Sequence, residues 1–354
     1  MSDFLRFFRK PTSLQFSFLG LVIFIFVMTF SINAGKSAIE GKGQLKKVKN
    51  FNLVAKWTGT NGEVVEDFIL VNDLLYSAVG EKGIYVFKRE NLEFVTNLIL
   101  ETNEMKFNIK RIDVLKAGGS NFFVASFLNG VGENERGLIL FSIGISNVVS
   151  ELNVLPLNFS TPKSFCVVDN KIYVLTSAKE IFEFEFDNLM GRKIKRYMVN
   201  INGGNIIRHY KNLFYIPANE DGLYIAKLER GEFRIVSRIV SEINYVSDCS
   251  VSGEKIAVSD RMLGVTIYKI SDISRPKLFF HYDTSGDAFS VSMSKNDVFV
   301  ADGINGVLGL EYKDREYRLA KIYKQGAIAD QIFFDEKRKL LYSSFGVNGI
   351  SILK

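Results

Sequence analysis

From Phe51 onward, apolar and polar positions alternate with period two over runs of about five to eight residues, and short turns bearing glycine or aspartate separate the runs. Val298–Phe299–Val300–Ala301, then Asp302–Gly303, then Gly306–Val307 is one such unit. It consists of an apolar strand carrying an aromatic, a polar turn, a glycine and a second apolar strand. Aligned on that glycine, the copies fall at Gly83, Gly137, Glu180 (where the glycine is lost), Gly222, Gly264, Gly306 and Gly349. The steps are 54, 43, 42, 42, 42 and 43 residues. A period in the low forties with several short strands per unit predicts an all-β fold, a seven-bladed β-propeller of four-stranded antiparallel blades. In the fifth copy the four strands read as Ser250–Gly253 (the end of the first), Lys255–Ser259, Val265–Ile270 and Leu278–Tyr282.

The two ends of the array are complementary. Phe51–Thr58 (FNLVAKWT) has the pattern of a fourth strand, as in KLFFHYDT before Ser285, whereas the last copy stops at its third strand, GISILK. Pairing 51–58 outside Gly349–Leu353 completes the seventh blade and leaves no open sheet in the ring. Trp57, the only tryptophan, is expected to pack at this seam. Gly253 and glycines of the Asp302–Gly303 type suit turns that need positive φ, and Asp221, Asp260 and Asp302 recur as turn formers.

Ahead of the array the pattern changes. Residues 1–13 are a short basic tail, and 14–34 contain FSFLGLVIFIFVMTFSINA, 19 uncharged residues from Phe16 to Ala34. That length spans a bilayer core of about 30 Å as a helix, so the segment reads as a signal anchor, with a cleaved signal peptide as the alternative. Ile32 sits where signal cleavage after Ala34 prefers a small residue, which favours the anchor. Residues 35–50 are polar, glycine-bearing and aperiodic, and read as a linker before the propeller at 51–354. Lys36, Lys42, Lys46, Lys47 and Lys49 follow the segment and argue for a cytoplasmic propeller by simple count. Arg9 and Lys10 lie closer to the helix, and large domains translocate largely regardless of charge, so the expected placement is extracytoplasmic, single-pass, periplasmic or at the cell surface.

Composition adds limits. The 354 residues are 47% hydrophobic, with 31 Phe, 14 Tyr and five Pro, which suits many half-buried strands. The net charge of +6 is thinly spread and forms no basic stripe with interleaved aromatics, so nucleic acid is not an expected partner. Cys166 and Cys249 fall on first strands of the third and fifth copies, at offsets pointing to opposite faces, and read as buried unpaired thiols.

Catalytic chemistry is sparse. His209 and His281 fall on an innermost and an outermost strand, so no histidine metal centre or Ser-His-Asp triad is nominated. Asp67, Asp113, Asp248 and Asp330 lie near the starts of first strands, which line the channel of a propeller. Converging there, they would suit a cation such as Ca²⁺ or an acid–base pair. Recurrence at one repeat position favours a structural role instead, with each carboxylate accepting backbone amides. The turn after the second strand and the crossing to the next blade emerge on one face. That face carries Gly59–Glu63, Ile201–Asn205, Thr284–Asp287 and the long Phe127–Arg136 loop. Asn129, Glu133, Asn134, Glu135 and Arg136 are its candidate partner-binding residues.

The stretch IAVSDRMLGVTIYKISDISRPKLFFHYDTSGDA, Ile256 to Ala288, together with Val298–Gly303 and Gly306–Val307, resembles the LVIVD repeat. The match is close over blades five and six and looser in one, four and seven. Blade three departs from it at Lys179–Glu180, and blade two carries extra length. The resemblance implies a bacterial or archaeal surface β-propeller and no agreed activity. The sequence thus points to a membrane-tethered, non-enzymatic module binding a protein or polysaccharide of the cell envelope. An envelope hydrolase using the channel carboxylates, with or without a divalent cation, is the alternative.

Overall fold

A computed structural model describes residues 48–354, apart from 60–62, 104, 118–119, 131–134, 145–147, 158–159, 187–190 and 241–244. The tail at 1–13, the membrane segment at 14–34 and the linker up to Lys47 lie outside the described residues. Among the described residues no helix is long and apolar enough to cross a membrane.

Residues 48–354 form one compact unit of seven antiparallel sheets, one per repeat. The innermost strands are Asp67–Val71, Ile109–Ala117, Pro162–Val168, Arg208–Tyr210, Val246–Ser252, Ser290–Met293 and Gln331–Asp335. In the last blade, Leu53–Trp57 pairs antiparallel outside Ile350–Leu353, with Trp57 opposite Ile350 and Leu53 opposite Leu353. Asn52 and Lys354 exchange both backbone hydrogen bonds at 2.9 Å, so the two ends of the repeat array fasten one sheet. Trp57 packs edge-on to Tyr85 at 5.7 Å and against Phe87 at 5.0 Å, bridging the seam to blade one.

The linker's end differs from expectation. Lys49–Asn50 forms a fifth, parallel strand on blade six, opposite Lys321 and Ile322. Two residues carry no readable period; they pair there because an outermost strand offers unpaired N–H and C=O groups. Phe51 then turns inward between blades six and seven, where its ring fills the space a side chain at Gly309 would need.

The alignment glycine has a physical cause. Gly83, Gly222, Gly264, Gly306 and Gly349 all have φ between 80° and 86°. A Cβ at any of them would lie 2.0–2.4 Å from a carbonyl of the outermost strand. Position and contact both exclude a side chain. Blade three solves the turn differently: Lys179 takes the left-handed conformation at φ 61°, and Glu180 is buried, its carboxylate held by Arg196.

Seven hydrophobic clusters sit between consecutive blades, one per joint, including the joint from blade seven to blade one. Both faces of each sheet are therefore covered, which explains why the second strands read as nearly continuous apolar runs. The small polar residues in those strands satisfy the inner strand. Ser343 donates to Gln331 O at 2.8 Å and Ser259 to Asp248 O at 3.3 Å, giving these two inner-strand carbonyls a partner.

Candidate functional site: the channel and the loop face

Three of the four expected acids meet around an arginine that the sequence reading did not single out. Arg208 opens the inner strand of blade four and forms a bidentate pair with Asp248 of blade five, Nε to Oδ1 at 2.7 Å and a terminal nitrogen to Oδ2 at 2.8 Å. Asp248 also accepts the Cys249 amide at 2.7 Å and the Ser290 hydroxyl of blade six at 2.7 Å. Planar, charge-assisted pairing of this kind fixes geometry as well as charge. The same guanidinium is close enough to Asp67 and Asp113 to stabilise their charged forms.

Asp67 and Asp113 are each tied to the next blade. Asp67 accepts Ile112 N–H at 3.1 Å and the amide of its own neighbour Phe68. Asp113 accepts Val114 N–H at 2.7 Å and the Val167 amide of blade three. Burial pushes the carboxyl of Asp67 upward against the pull of Arg111, the two amides and Arg208. Burial likewise pushes Asp113 up to about 6, the amides pulling it down and the charge of Asp67 adding to the rise. Serines serve the same purpose farther round the ring: Ser250 accepts Met293 N–H and Ser292 accepts Phe334 N–H, both at 3.0 Å. Four joints, from blade one to two, two to three, five to six and six to seven, are thus laced by side-chain oxygens reaching the neighbour's backbone.

Asp330 does not join the other three. It precedes the inner strand of blade seven, is bonded by Ser344 Oγ, and has its carboxyl raised mainly by burial. Among the described residues, no group of three or more His, Cys, Asp or Glu is placed to hold a metal ion. His281 meets Thr266 Oγ1 at 2.9 Å on the outer side of blade five, while His209 packs its ring on Phe214 at 4.9 Å in blade four. Cys166 and Cys249 are buried free thiols, both pushed up by burial. The Arg208 signal was faint in the sequence: an arginine at an inner-strand position where other copies carry Ile69, Cys166, Ser250, Ser292 and Phe333.

The loop face is stitched to itself. Turns after second strands bridge to crossings entering the next blade, Gly80 with Ile109, Asn219 with Val246 and Gly303 with Ala329. In the long loop Asn129 is structurally engaged, accepting Asn108 N–H at 2.8 Å and donating to Lys106 O at 2.7 Å. The backbone carbonyl of Glu135 accepts Asn129 N–H at 2.7 Å, and Arg136 reaches Thr161 Oγ1 at 3.2 Å. Glu133 and Asn134 lie outside the described residues. Much of the extra length of blade two is spent on strands of eight and nine residues rather than on the loop. Of the expected turn formers, Asp260 accepts Met262 N–H at 3.0 Å and Tyr245 N–H at 3.1 Å, Asp302 holds Asn305 and Thr284, and Asp221 accepts the Tyr224 hydroxyl and Arg238, both at 2.9 Å.

One repeat position on this face separates the blades. Two residues before the turn glycine stands Glu81, Glu135 or Glu220 in blades one, two and four, but Met262, Ile304 or Val347 in blades five, six and seven. Those three apolar side chains are 67%, 75% and 55% exposed. Ile328 and Val64, in the adjoining crossings, are exposed as well. No alternation marks these residues in the sequence, because they lie in turns; only the repeat alignment exposes the split.

No protein-family model matches the chain, and no curated protein does. Among solved structures, the computationally designed Ika8 protein superposes with a TM-score of 0.57 at 9% identity, covering 85% of this chain and 99% of its own. U3-55K superposes with a TM-score of 0.64 at 6% identity, covering 86% and 99%. At such identities the likeness is one of fold alone.

Proposed function

We propose that the chain is a membrane-tethered, extracytoplasmic β-propeller of the LVIVD-repeat kind, a non-enzymatic module whose loop face binds a protein or polysaccharide of the cell envelope. The anchor reading rests on the uncharged run from Phe16 to Ala34, and the repeat reading on the motif of blades five and six. The observation that carries the binding reading is the arc of exposed Met262, Ile304 and Val347 on three successive blades. Scattered surface hydrophobics are ordinary, but exposed ones at the same turn of three successive blades on a rigid ring favour a binding face. The channel acids favour a fastening role over hydrolysis, since their oxygens are taken by backbone amides, Ser290 and Arg208.

The test is site-specific photo-crosslinking in cells, with the probe at Ile304 and an opposite-face control at Asn296. One envelope component captured from Ile304 alone, and lost when Met262 and Val347 are both replaced by Glu, is the expected result. Equal capture from both positions, or capture indifferent to the Glu pair, defeats the loop-face assignment.

A further inference from the structure

Between blades six and seven, on the face opposite the loop face, lies a cleft of about 380 Å³. That is within the usual range for small-molecule pockets, roughly 300–1,000 Å³. Its floor is apolar: Phe299 and Phe334 face each other at 4.5 Å between centroids, and Leu341 and Leu353 lie beneath. Its charged lining comes from Asp297, Glu311, Lys321, Lys339 and Lys354.

The charges are arranged in a way the sheet alone does not explain. Asp297 and Glu311 stand directly opposite each other in the register of blade six. Like charges in that relation destabilise a sheet. Blade five has the equivalent pair Lys255 and Lys269, and there the lysines lie over rings, Lys255 at 4.5 Å from Tyr312 and Lys269 at 4.5 Å from Phe279. Blade six offers its acids no such relief. Neither carboxylate forms an ion pair among the described residues, and the bond of Asp297 with Ser294 is long, at 3.4 Å. The nearby cations are turned to rings instead, Lys321 at 5.3 Å over Phe51 and Lys339 at 5.7 Å over Phe334. Burial raises the carboxyl of Asp297, Glu311 adds to the rise, and the two lysines offset it only in part. The cleft therefore presents two carboxylates and three lysine ammonium groups that form no ion pair among the described residues, beside an aromatic floor.

We propose that this cleft binds a small zwitterion with an apolar side group, an α-amino acid of the aromatic or branched aliphatic class. The ammonium of the ligand lies on Asp297 and Glu311, its carboxylate on Lys321 and Lys339, and its side group on Phe299 and Phe334. The site is independent of the loop face and does not rest on the binding function proposed for it.

The experiment is calorimetric titration of the full chain in detergent with L-phenylalanine, L-leucine, phenethylamine (no carboxylate) and 3-phenylpropionate (no ammonium). One-to-one binding of an amino acid, at least tenfold tighter than either truncated analogue, is the expected result. In the Asp297→Asn, Glu311→Gln double variant the affinity for the amino acid should fall to that for 3-phenylpropionate. Removing opposed like charges should not lower the melting temperature, which checks that the variant is folded. Should it fail to fold, Lys339→Gln, at an exposed turn, gives the complementary reading: the amino acid falls toward phenethylamine. Absence of binding by both amino acids, equal affinities for all four probes, or affinities unmoved in the folded variants would overturn the proposal.

Discussion

Arg208 serves as counter-ion to one carboxylate and lies near two others, and its removal should be felt through Asp248, whose side chain is only 2% exposed. Breaking a fully buried pair costs about 3–5 kcal/mol. Because the Arg208 side chain is 48% exposed, solvent screens the pair, and Arg208→Ala is expected to cost about 2 kcal/mol in urea denaturation. Arg208→Lys should recover only part of this, since it lacks the planar fork. Asp113 and Asp302 give a second expectation at this scale. Burial is the leading cause for both, and each rises from 3.8 to about 6. With the folded value above the unfolded one, the native state holds its proton longer, so stability is full below about pH 4 and declines as pH rises toward 6. The contribution of each is bounded at ~3 kcal/mol. Asp302→Asn and Asp113→Asn should each flatten the fall in urea midpoint between pH 4 and 6.5; an unchanged slope in both would show that other groups set it. The turn role of Asp302 was legible in the Asp-Gly pattern. Its rise was not, because it comes from burial in the folded ring and from the nearby charges of Asp287 and Asp283, which outweigh the downward pull of the Thr284 and Asn305 hydrogen bonds.

Among the elements, the third strand of every blade but the third follows a turn glycine, and two glycines with different surroundings separate conformation from contact. Gly253 has φ 61° with open space beside it, whereas Gly306 has φ 83° and would set a Cβ 2.0 Å from Tyr323 O. Gly253→Ala should cost ~1 kcal/mol for the left-handed backbone alone. Gly306→Ala should cost clearly more, above ~2 kcal/mol, because strand Glu316–Tyr323 must also move. Comparable thermal shifts for the two would remove the contact argument. The seam gives the other expectation here. Deleting 51–58 strips the outer strand of blade seven along with Phe51 and Trp57, so a large fall in melting temperature is expected, whereas deleting 36–45 should leave it unchanged. Equal melting would mean that the seam lies elsewhere. The complementary chain ends made this closure readable in the sequence, since a lone fourth strand and a missing fourth strand demand each other. The fifth strand at Lys49–Asn50 was not readable, because it follows from a free sheet edge and not from any property of two polar residues.

At the scale of the whole ring, seven interblade cores close on one another, so no blade has an uncovered face to open from. Cys166 and Cys249 report on this. Both are 7% exposed or less, and burial lifts their thiols away from the reactive thiolate. A thiol reagent such as DTNB should therefore react with neither in the native protein, and with both together across the unfolding transition. Reaction of one before the other would show that a blade opens locally.

By itself the sequence determined the number of blades, their strands, the turn glycines and the seam, because each follows from local period and from steric demands carried by neighbouring residues. Tertiary structure alone decided which polar groups meet. Arg208 finds Asp248 forty residues away, and Asp297 meets Glu311 across a hairpin. A shared repeat position is readable along the chain, but which groups of different strands and blades touch is not. Their proximity is a property of the closed ring, which brings every inner strand to one channel and every second turn to one face.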